Sequence, residues 1–250
     1  TPGTTSTIPF SGATSRLDGL DFRPANGLLY GYDESSNRVV TVDPLTAFTT
    51  LVSNPTTGST TSDLGIDFNP VPDRMRLVNV DDQNLRINVD TGATIVDGTL
   101  AYDAGDPNTG VNPLINEAAY SNNDNDPATA TTLYYLDYGL DILVTTSNPN
   151  GGVVNTVGNL GVLTSSYTGL DIFTDGGVNT AYAILSNSDN LPSLYTVNLQ
   201  TGAAALIGQV GNGSVFEVYS LALVPVPEPS SWFVVTTVAL TGAALRRRRR

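Results

Sequence analysis

Short runs of alternating apolar and polar residues make up most of the chain, and they keep restarting on one stretch. Gly19-Leu20-Asp21-Phe22-Arg23-Pro24 is followed by a second copy, Gly65-Ile66-Asp67-Phe68-Asn69-Pro70. A later one is Gly169-Leu170-Asp171-Ile172-Phe173, and Ser220-Leu221-Ala222-Leu223-Val224-Pro225 is a degenerate last copy. Within a run, Leu85, Ile87 and Val89 alternate with Arg86 and Asn88, the period of two that turns one face of a strand inward and the other to water. Each restart therefore predicts a unit of four strands. The first unit reads Gly19 to Phe22, Leu28 to Tyr32, Arg38 to Asp43 and Phe48 to Ser53; the second reads Gly65 to Phe68, Met75 to Val80, Leu85 to Val89 and Thr94 to Asp97. Glu117 to Val157 holds a divergent third unit and Gly169 to Val210 a regular fourth.

The turn before each unit's last strand repeats too: Asp43-Pro44-Leu45-Thr46-Ala47, Asn88-Val89-Asp90-Thr91-Gly92 and Asn198-Leu199-Gln200-Thr201-Gly202. It suits a type I turn followed by a residue at positive φ, and only Ala47 lacks the glycine that this position favours. Residues 99–116, rich in Asp, Gly, Asn and Pro, read as a surface loop, and Thr4 to Phe10 reads as a lone strand.

Restarts roughly 46 to 53 residues apart match the period of propeller blades and exceed that of most solenoids. The fold class expected is all-β, a β-propeller over residues 1–224, with repeats at about 17–53, 64–98, 117–158 and 168–211 and a closing strand at 217–224. Because the last unit offers one strand and the N-terminus only one other, the reading is five blades, the last incomplete for want of strands from a longer N-terminus. From Pro225 the character changes: Trp232 to Leu245 is almost uncharged and five arginines follow, which predicts a short C-terminal apolar helix, a transmembrane segment over 232–245. Fourteen residues of helix reach only ~21 Å of a ~30 Å hydrocarbon core, so membrane insertion of the tail is expected to be transient.

Composition narrows the chemistry. The chain has no Cys, His or Lys, which removes thiolate metal sites, Cys nucleophiles and His-dependent triads. Five of its eleven basic residues are Arg246 to Arg250, leaving six against 24 acidic ones before them, a balance that argues against nucleic acid as a partner.

Two resemblances rest on these residues. Val226-Pro227-Glu228-Pro229, the apolar stretch and the terminal arginines look like the PEP-CTERM sorting signal of Gram-negative bacteria. That resemblance implies recognition of Pro227, Glu228 and Pro229 by an exosortase-type processing enzyme. It also implies export to the cell surface or an extracellular polysaccharide matrix. The body, through Leu20-Asp21-Phe22-Arg23-Pro24, Gly65 to Arg74, Asn84 to Asn88 and Leu194 to Gly202, is similar over residues 8–224 to a bacterial family. The family is called domain of unknown function four thousand three hundred and ninety-four. It implies a propeller-like fold and brings no activity.

Asp21, Asp67 and Asp171 recur at one place in the first strand of three units, with Tyr120 and Ala222 at that place in the other two. They read either as carboxylates around a central channel able to hold a hard cation such as Ca²⁺, or as acceptors for backbone N–H groups of nearby turns. Asn122-Asn123-Asp124-Asn125-Asp126 has oxygen donors at alternate positions, so Asp124 and Asp126 join the metal candidates. The loop nonetheless lacks the Gly and Glu of an EF-hand. Glu34, Glu117 and Glu217 could serve a carboxylate-dependent glycosidase or hold structural roles. Arg74, Arg76 and Arg86 could bind an anion or neutralise nearby Asp residues, and Tyr102, Tyr120 and Tyr167 could stack on sugars or pack the core. No assembled catalytic motif appears. The function expected is an exported, structural or glycan-binding propeller, with a secreted glycosidase or lyase acting on exopolysaccharide as the alternative.

Overall fold

A computed structural model describes residues 5–123, 126, 128–186, 191–211 and 217–224. It opens with β1 (Ser11–Gly12) and a first sheet of β2 (Gly19–Phe22), β3 (Leu29–Asp33), β4 (Arg38–Val42) and β5 (Phe48–Ser53). The second sheet is β6 (Leu64–Asn69), β7 (Arg74–Asn79), β8 (Asn84–Ile87) and β9 (Thr94–Val96). After β10 (Ala101–Tyr102) comes the third, β11 (Ile115–Tyr120), β12 (Leu133–Asp137), β13 (Ile142–Asn148) and β14 (Val153–Asn159). The fourth is β15 (Thr168–Asp175), β16 (Val178–Ser186), β17 (Pro192–Val197) and β18 (Ala204–Gln209). Each is an antiparallel meander in chain order. The first strands β2, β6, β11 and β15 face one another in sequence, which makes the sheets blades around a common axis.

The cores lie between blades. One cluster joins Tyr30, Tyr32 and Val39 of blade 1 to Phe68, Met75 and Leu77 of blade 2. A second joins Val78 to Tyr120, Tyr135 and Val144 of blade 3, and a third joins Leu136 and Leu143 to Leu170, Ile172 and Ala183 of blade 4. Residues 217–224 then fill the wedge between blades 4 and 1. Val218 and Leu221 pack on Ile184 and Leu194, while Ala222 packs on Leu17, Leu20 and Leu29.

The blade count is therefore four. The expected fifth blade fails because a blade needs hairpin partners, and 217–224 has none among the described residues. The N-terminal segment goes elsewhere: of the lone strand expected over Thr4 to Phe10, residues 5–10 form none, and β1 (Ser11–Gly12) pairs in parallel with the outermost strand β5 of blade 1, Ser11 opposite Phe48. β10 caps β14 in the same way, Ala101 opposite Val153. So 99–116 is more than a surface loop: it buries Leu100, Tyr102 and Asp106 and runs into β11. The predicted C-terminal apolar helix and transmembrane segment are likewise not borne out. The described residues hold one 3₁₀ turn, Pro149–Gly151, and no helix long and apolar enough to cross a membrane. Residues 225–250, including Pro227, Glu228 and Pro229, lie outside them.

The repeated turn behaves as its sequence dictates. Oδ1 of Asp43, Asn88 and Asn198 accepts the N–H two residues on, from Leu45 (2.8 Å), Asp90 (3.1 Å) and Gln200 (2.9 Å). The fifth residue closes the turn onto the first carbonyl at positive φ: 53° for Ala47, 74° for Gly92 and 79° for Gly202. Ala47 takes the left-handed conformation without glycine's freedom.

Candidate functional site

The four-residue segments Gly19-Leu20-Asp21-Phe22, Gly65-Ile66-Asp67-Phe68, Glu117-Ala118-Ala119-Tyr120, Gly169-Leu170-Asp171-Ile172 and Ser220-Leu221-Ala222-Leu223 line the axis. Their first and third residues share a face. Where the first residue is glycine, the next segment presses against it. A Cβ on Gly65 would stand 2.5 Å from Glu117 Cα, and one on Gly169 would stand 2.8 Å from Leu221 N.

Each segment then sends one polar side chain to the backbone of the next. Asp21 Oδ2 accepts from Phe68 N (2.7 Å), Asp67 Oδ1 from Tyr120 N (3.2 Å) and Asp171 Oδ2 from Leu223 N (2.6 Å), so the aspartate at position three takes the N–H at position four. Blade 3 and the closing segment carry alanine there and do the same from position one. Glu117 Oε2 accepts from Leu170 N (3.4 Å) and Ser220 Oγ from Leu20 N (3.1 Å). Five side chains thus stitch the ring shut, from blade 1 round to blade 1.

This register corrects the sequence alignment by one residue. The partner of Asp21, Asp67 and Asp171 in blade 3 is Ala119, not Tyr120; in the last copy it is Ala222, as the sequence indicated. It also merges the two readings of the aspartates: they do accept backbone N–H groups, of neighbouring blades rather than turns, and they do converge. Oxygens of Asp21, Asp67 and Asp171 all lie within 4.8 Å of one another, with the three residues 4%, 1% and 3% exposed. Such a cluster can in principle chelate a divalent cation, since oxygens on opposite sides of a Ca²⁺ with ligand distances of 2.3–2.6 Å stand about 5 Å apart.

Burial dominates the electrostatics. It pushes Asp21 and Asp67 well above the usual carboxylate range, helped for Asp21 by the charge of Asp171 and for Asp67 by those of Asp21 and Asp171. Asp171 is pushed up to about 7 by burial, with the Leu223 and Ile172 N–H groups pulling it back. Glu117 is raised well above its ordinary value by burial. Three carboxylates this close cannot all stay ionised in so dry a place without a proton or a cation among them.

A cavity of about 130 Å³ opens where β2 and β15 end, lined by Asp21, Arg23, Asn123, Asp171, Phe173 and Thr174 among others. Arg23 is tied down by Asp73 (2.5 Å) and Asp90 (2.8 Å) and is not free to neutralise the cluster. Asn123 donates to Ile172 O (3.2 Å), while its own Oδ1 is buried with no hydrogen-bond partner.

The other candidates fall elsewhere. Asp124 lies outside the described residues, and Asp126 accepts from Ala128 N (2.9 Å) in the β11–β12 connection, apart from the carboxylate cluster. Arg76 and Arg86 both pair with Asp97 (2.6 and 2.7 Å), and Arg74 bonds the carbonyls of Pro72 and Asp73, so the arginines neutralise or brace and do not form an anion site. Tyr102 donates to Asp137 (2.6 Å), and Tyr120 receives Arg76 (3.3 Å) inside the core. Tyr167 meets Tyr219 edge to face at 5.5 Å, and Tyr219 donates to Glu217 (2.5 Å). The part of Glu117 and Ser220 in the ring escaped the sequence reading. Their signal was available: a polar residue at position one wherever position three is alanine.

Among solved structures, the chain is similar to a protein of unknown function from Bacteroides thetaiotaomicron VPI-5482. Identity is 15% and the TM-score 0.53, over 81% of this chain and 53% of that one. A nidogen/laminin complex matches at 12% identity and TM-score 0.49 over 78% and 64%, and the hydrazine synthase of Kuenenia stuttgartiensis at 12% and 0.47 over 82% and 51%. The chain spans between half and two thirds of the length of these structures, and the first likeness is one of fold alone. No curated protein matches it. The profile of the family described as Domain of unknown function (DUF4394) matches residues 1–222, so the chain belongs to that family.

Proposed function

We propose that the protein is an exported propeller that works as a binding or structural component at the cell surface or in an extracellular polysaccharide matrix, and is not an enzyme. The observation that carries this reading is the cavity at the end of β2 and β15, where polar groups of Asp21, Asn123, Asp171 and Thr174 converge beside Phe173. A few polar groups and an apolar wall are what a sugar needs to be held and oriented. Export rests on Pro227-Glu228-Pro229 and the terminal arginines, which suit an exosortase-type enzyme as processing partner. The cofactor in this reading is Ca²⁺ at Asp21, Asp67 and Asp171, whose donors are all hard oxygens. A glycan array probed with the full chain, in Ca²⁺ and in EDTA, tests it. Binding to an exopolysaccharide fragment that is lost in Thr174→Tyr, which fills the cavity, supports the reading; binding to no glycan in either buffer contradicts it.

A second reading has one specific observation behind it. Asp21 and Asp171 border the same cavity with oxygens no farther than 4.8 Å apart, a paired-carboxylate arrangement of the kind a retaining glycosidase uses with its carboxyl groups about 5–5.5 Å apart. An exopolysaccharide glycosidase or lyase would release reducing ends or unsaturated products that vanish in both Asp21→Asn and Asp171→Asn. No product from a broad polysaccharide panel removes it.

A further inference from the structure

The carboxylate cluster sits where the ring must be closed. Asp21, Asp67 and Asp171 come from blades 1, 2 and 4, and Asp171 is the residue that holds Leu223 of the closing segment. The two positions without a carboxylate are Ala119 and Ala222, whose methyl groups leave the centre of the layer to the three acids. Asp21 and Asp67 each bond a neighbouring blade's N–H with one oxygen, while Asp171 accepts Leu223 N at Oδ2 and Ile172 N at Oδ1 (2.6 Å); all three keep accepting capacity for another partner. Among the described residues no ion pair involves any of them.

A second observation points to a ligand. Glu117 is 2% exposed, and its Oε1 is buried with no hydrogen-bond partner while Oε2 serves Leu170. It stands two residues before Ala119 on β11, on the face that looks into the cluster, and its charge is felt by Asp67. An idle carboxylate oxygen in a dry channel beside three acids lacks a positive partner. The titratable groups facing the cluster are all acidic: Asp21 from β2, Asp67 from β6, Glu117 from β11 and Asp171 from β15, with Asp63 beyond Glu117. Asn123, with its own idle oxygen, borders the cavity through which an ion would arrive.

We propose that the cation at this cluster is a clasp: held by Asp21, Asp67 and Asp171, with Glu117 adding its charge from beside them, it fastens residues 217–224 between blades 4 and 1. The inference rests on the Ca²⁺ reading above and adds what the ion does. Protons and the cation compete for the same oxygens, so binding strengthens as pH rises.

Hydrogen exchange of the full chain at pH 7.5, in EDTA and in ~5 mM CaCl₂, a few-fold above the about millimolar weak end of protein Ca²⁺ sites, read together with Ca²⁺ calorimetry, tests both. The expected result is binding that weakens at least about tenfold in Asp171→Asn and severalfold in Glu117→Gln. Binding should slow exchange in peptides covering 217–224 at least about tenfold, with little change in β18. If Asp171→Asn does not fold, Asp67→Asn, which also keeps an acceptor for its N–H partner, takes its place. Ca²⁺ binding with exchange at 217–224 unchanged overturns the clasp and leaves the cation reading standing. No binding of Ca²⁺, Mg²⁺ or Mn²⁺ at pH 8 overturns both.

Discussion

Axis and rim of this propeller invert the usual distribution of side chains. At the axis, β2 is buried along its whole length, and Asp21, Asp67, Glu117 and Asp171 are buried with it. At the rim, β18 is exposed over most of its length, and Phe48, Leu51, Ile95, Val96 and Leu206 stand in water. Hairpin registers and Asx turns hold the rim, whose apolar side chains are ordinary single exposures. Polar stitches hold the axis, where every buried acid carries a desolvation cost that its hydrogen bonds only partly offset. The costly groups are concentrated at the axis, where a bound ligand has the most to offset.

The contrast between axis and rim meets its hardest test at Arg76, the most deeply buried arginine among the described residues. It reaches Asp97 (2.6 Å), Asn84 (2.7 Å) and Tyr120 (3.3 Å), and crosses from blade 2 to Asn150 of blade 3 (2.8 Å). Arg76→Ala strands these acceptors and is expected to cost about 3–5 kcal/mol, read as a lowered urea midpoint. A fall no larger than that for Arg86→Ala, which removes the half-exposed partner of the same Asp97, would show that crossing the blade interface adds nothing. Gly65→Ala comes next. Its Cβ would meet Glu117 Cα at 2.5 Å, and forcing the inner strands apart is expected to cost about 1–3 kcal/mol. Gly27→Ala, with open space around it, should show only the smaller penalty of its φ of 69°. The smallest effect belongs to the rim: Ala47→Gly relieves a φ of 53° and should raise stability by about 0.5 kcal/mol, net of the entropy glycine loses on folding.

What could be read from the sequence follows the same division. Repeat period, hairpin turns and the place of Asp21, Asp67 and Asp171 depend on local chemistry, and the left-handed Ala47 could be seen as the odd member of its turn set. Blade number depended on where lone strands pair, and a two-residue parallel strand such as Ser11–Gly12 or Ala101–Tyr102 has no periodicity to announce it. The one-residue error at Ala119 arose because blade 3 lacks the Gly-Leu-Asp-Phe signature, and only the N–H of Tyr120 bonded to Asp67 sets its register. Glu117 stood out as a rare glutamate and a catalytic candidate, while its stitch to Leu170 is a contact 53 residues away in sequence.

The axis gathers more acid than it can neutralise alone. Asp171 rises from its ordinary 3.8 to about 7, and Asp21, Asp67 and Glu117 rise well above their ordinary values, so the folded state holds protons that the unfolded chain has released between pH 4 and 7. Stability from these groups is therefore present below the unfolded value and is lost as pH rises through the folded one. The direct measurement is the urea midpoint of the full chain at pH 5 and pH 8, in EDTA and in Ca²⁺. The midpoint in EDTA is expected to be lower at pH 8 than at pH 5 and to be restored at pH 8 by Ca²⁺; a midpoint in EDTA equal or higher at pH 8, and indifferent to Ca²⁺, would show that the axial acids impose no such burden.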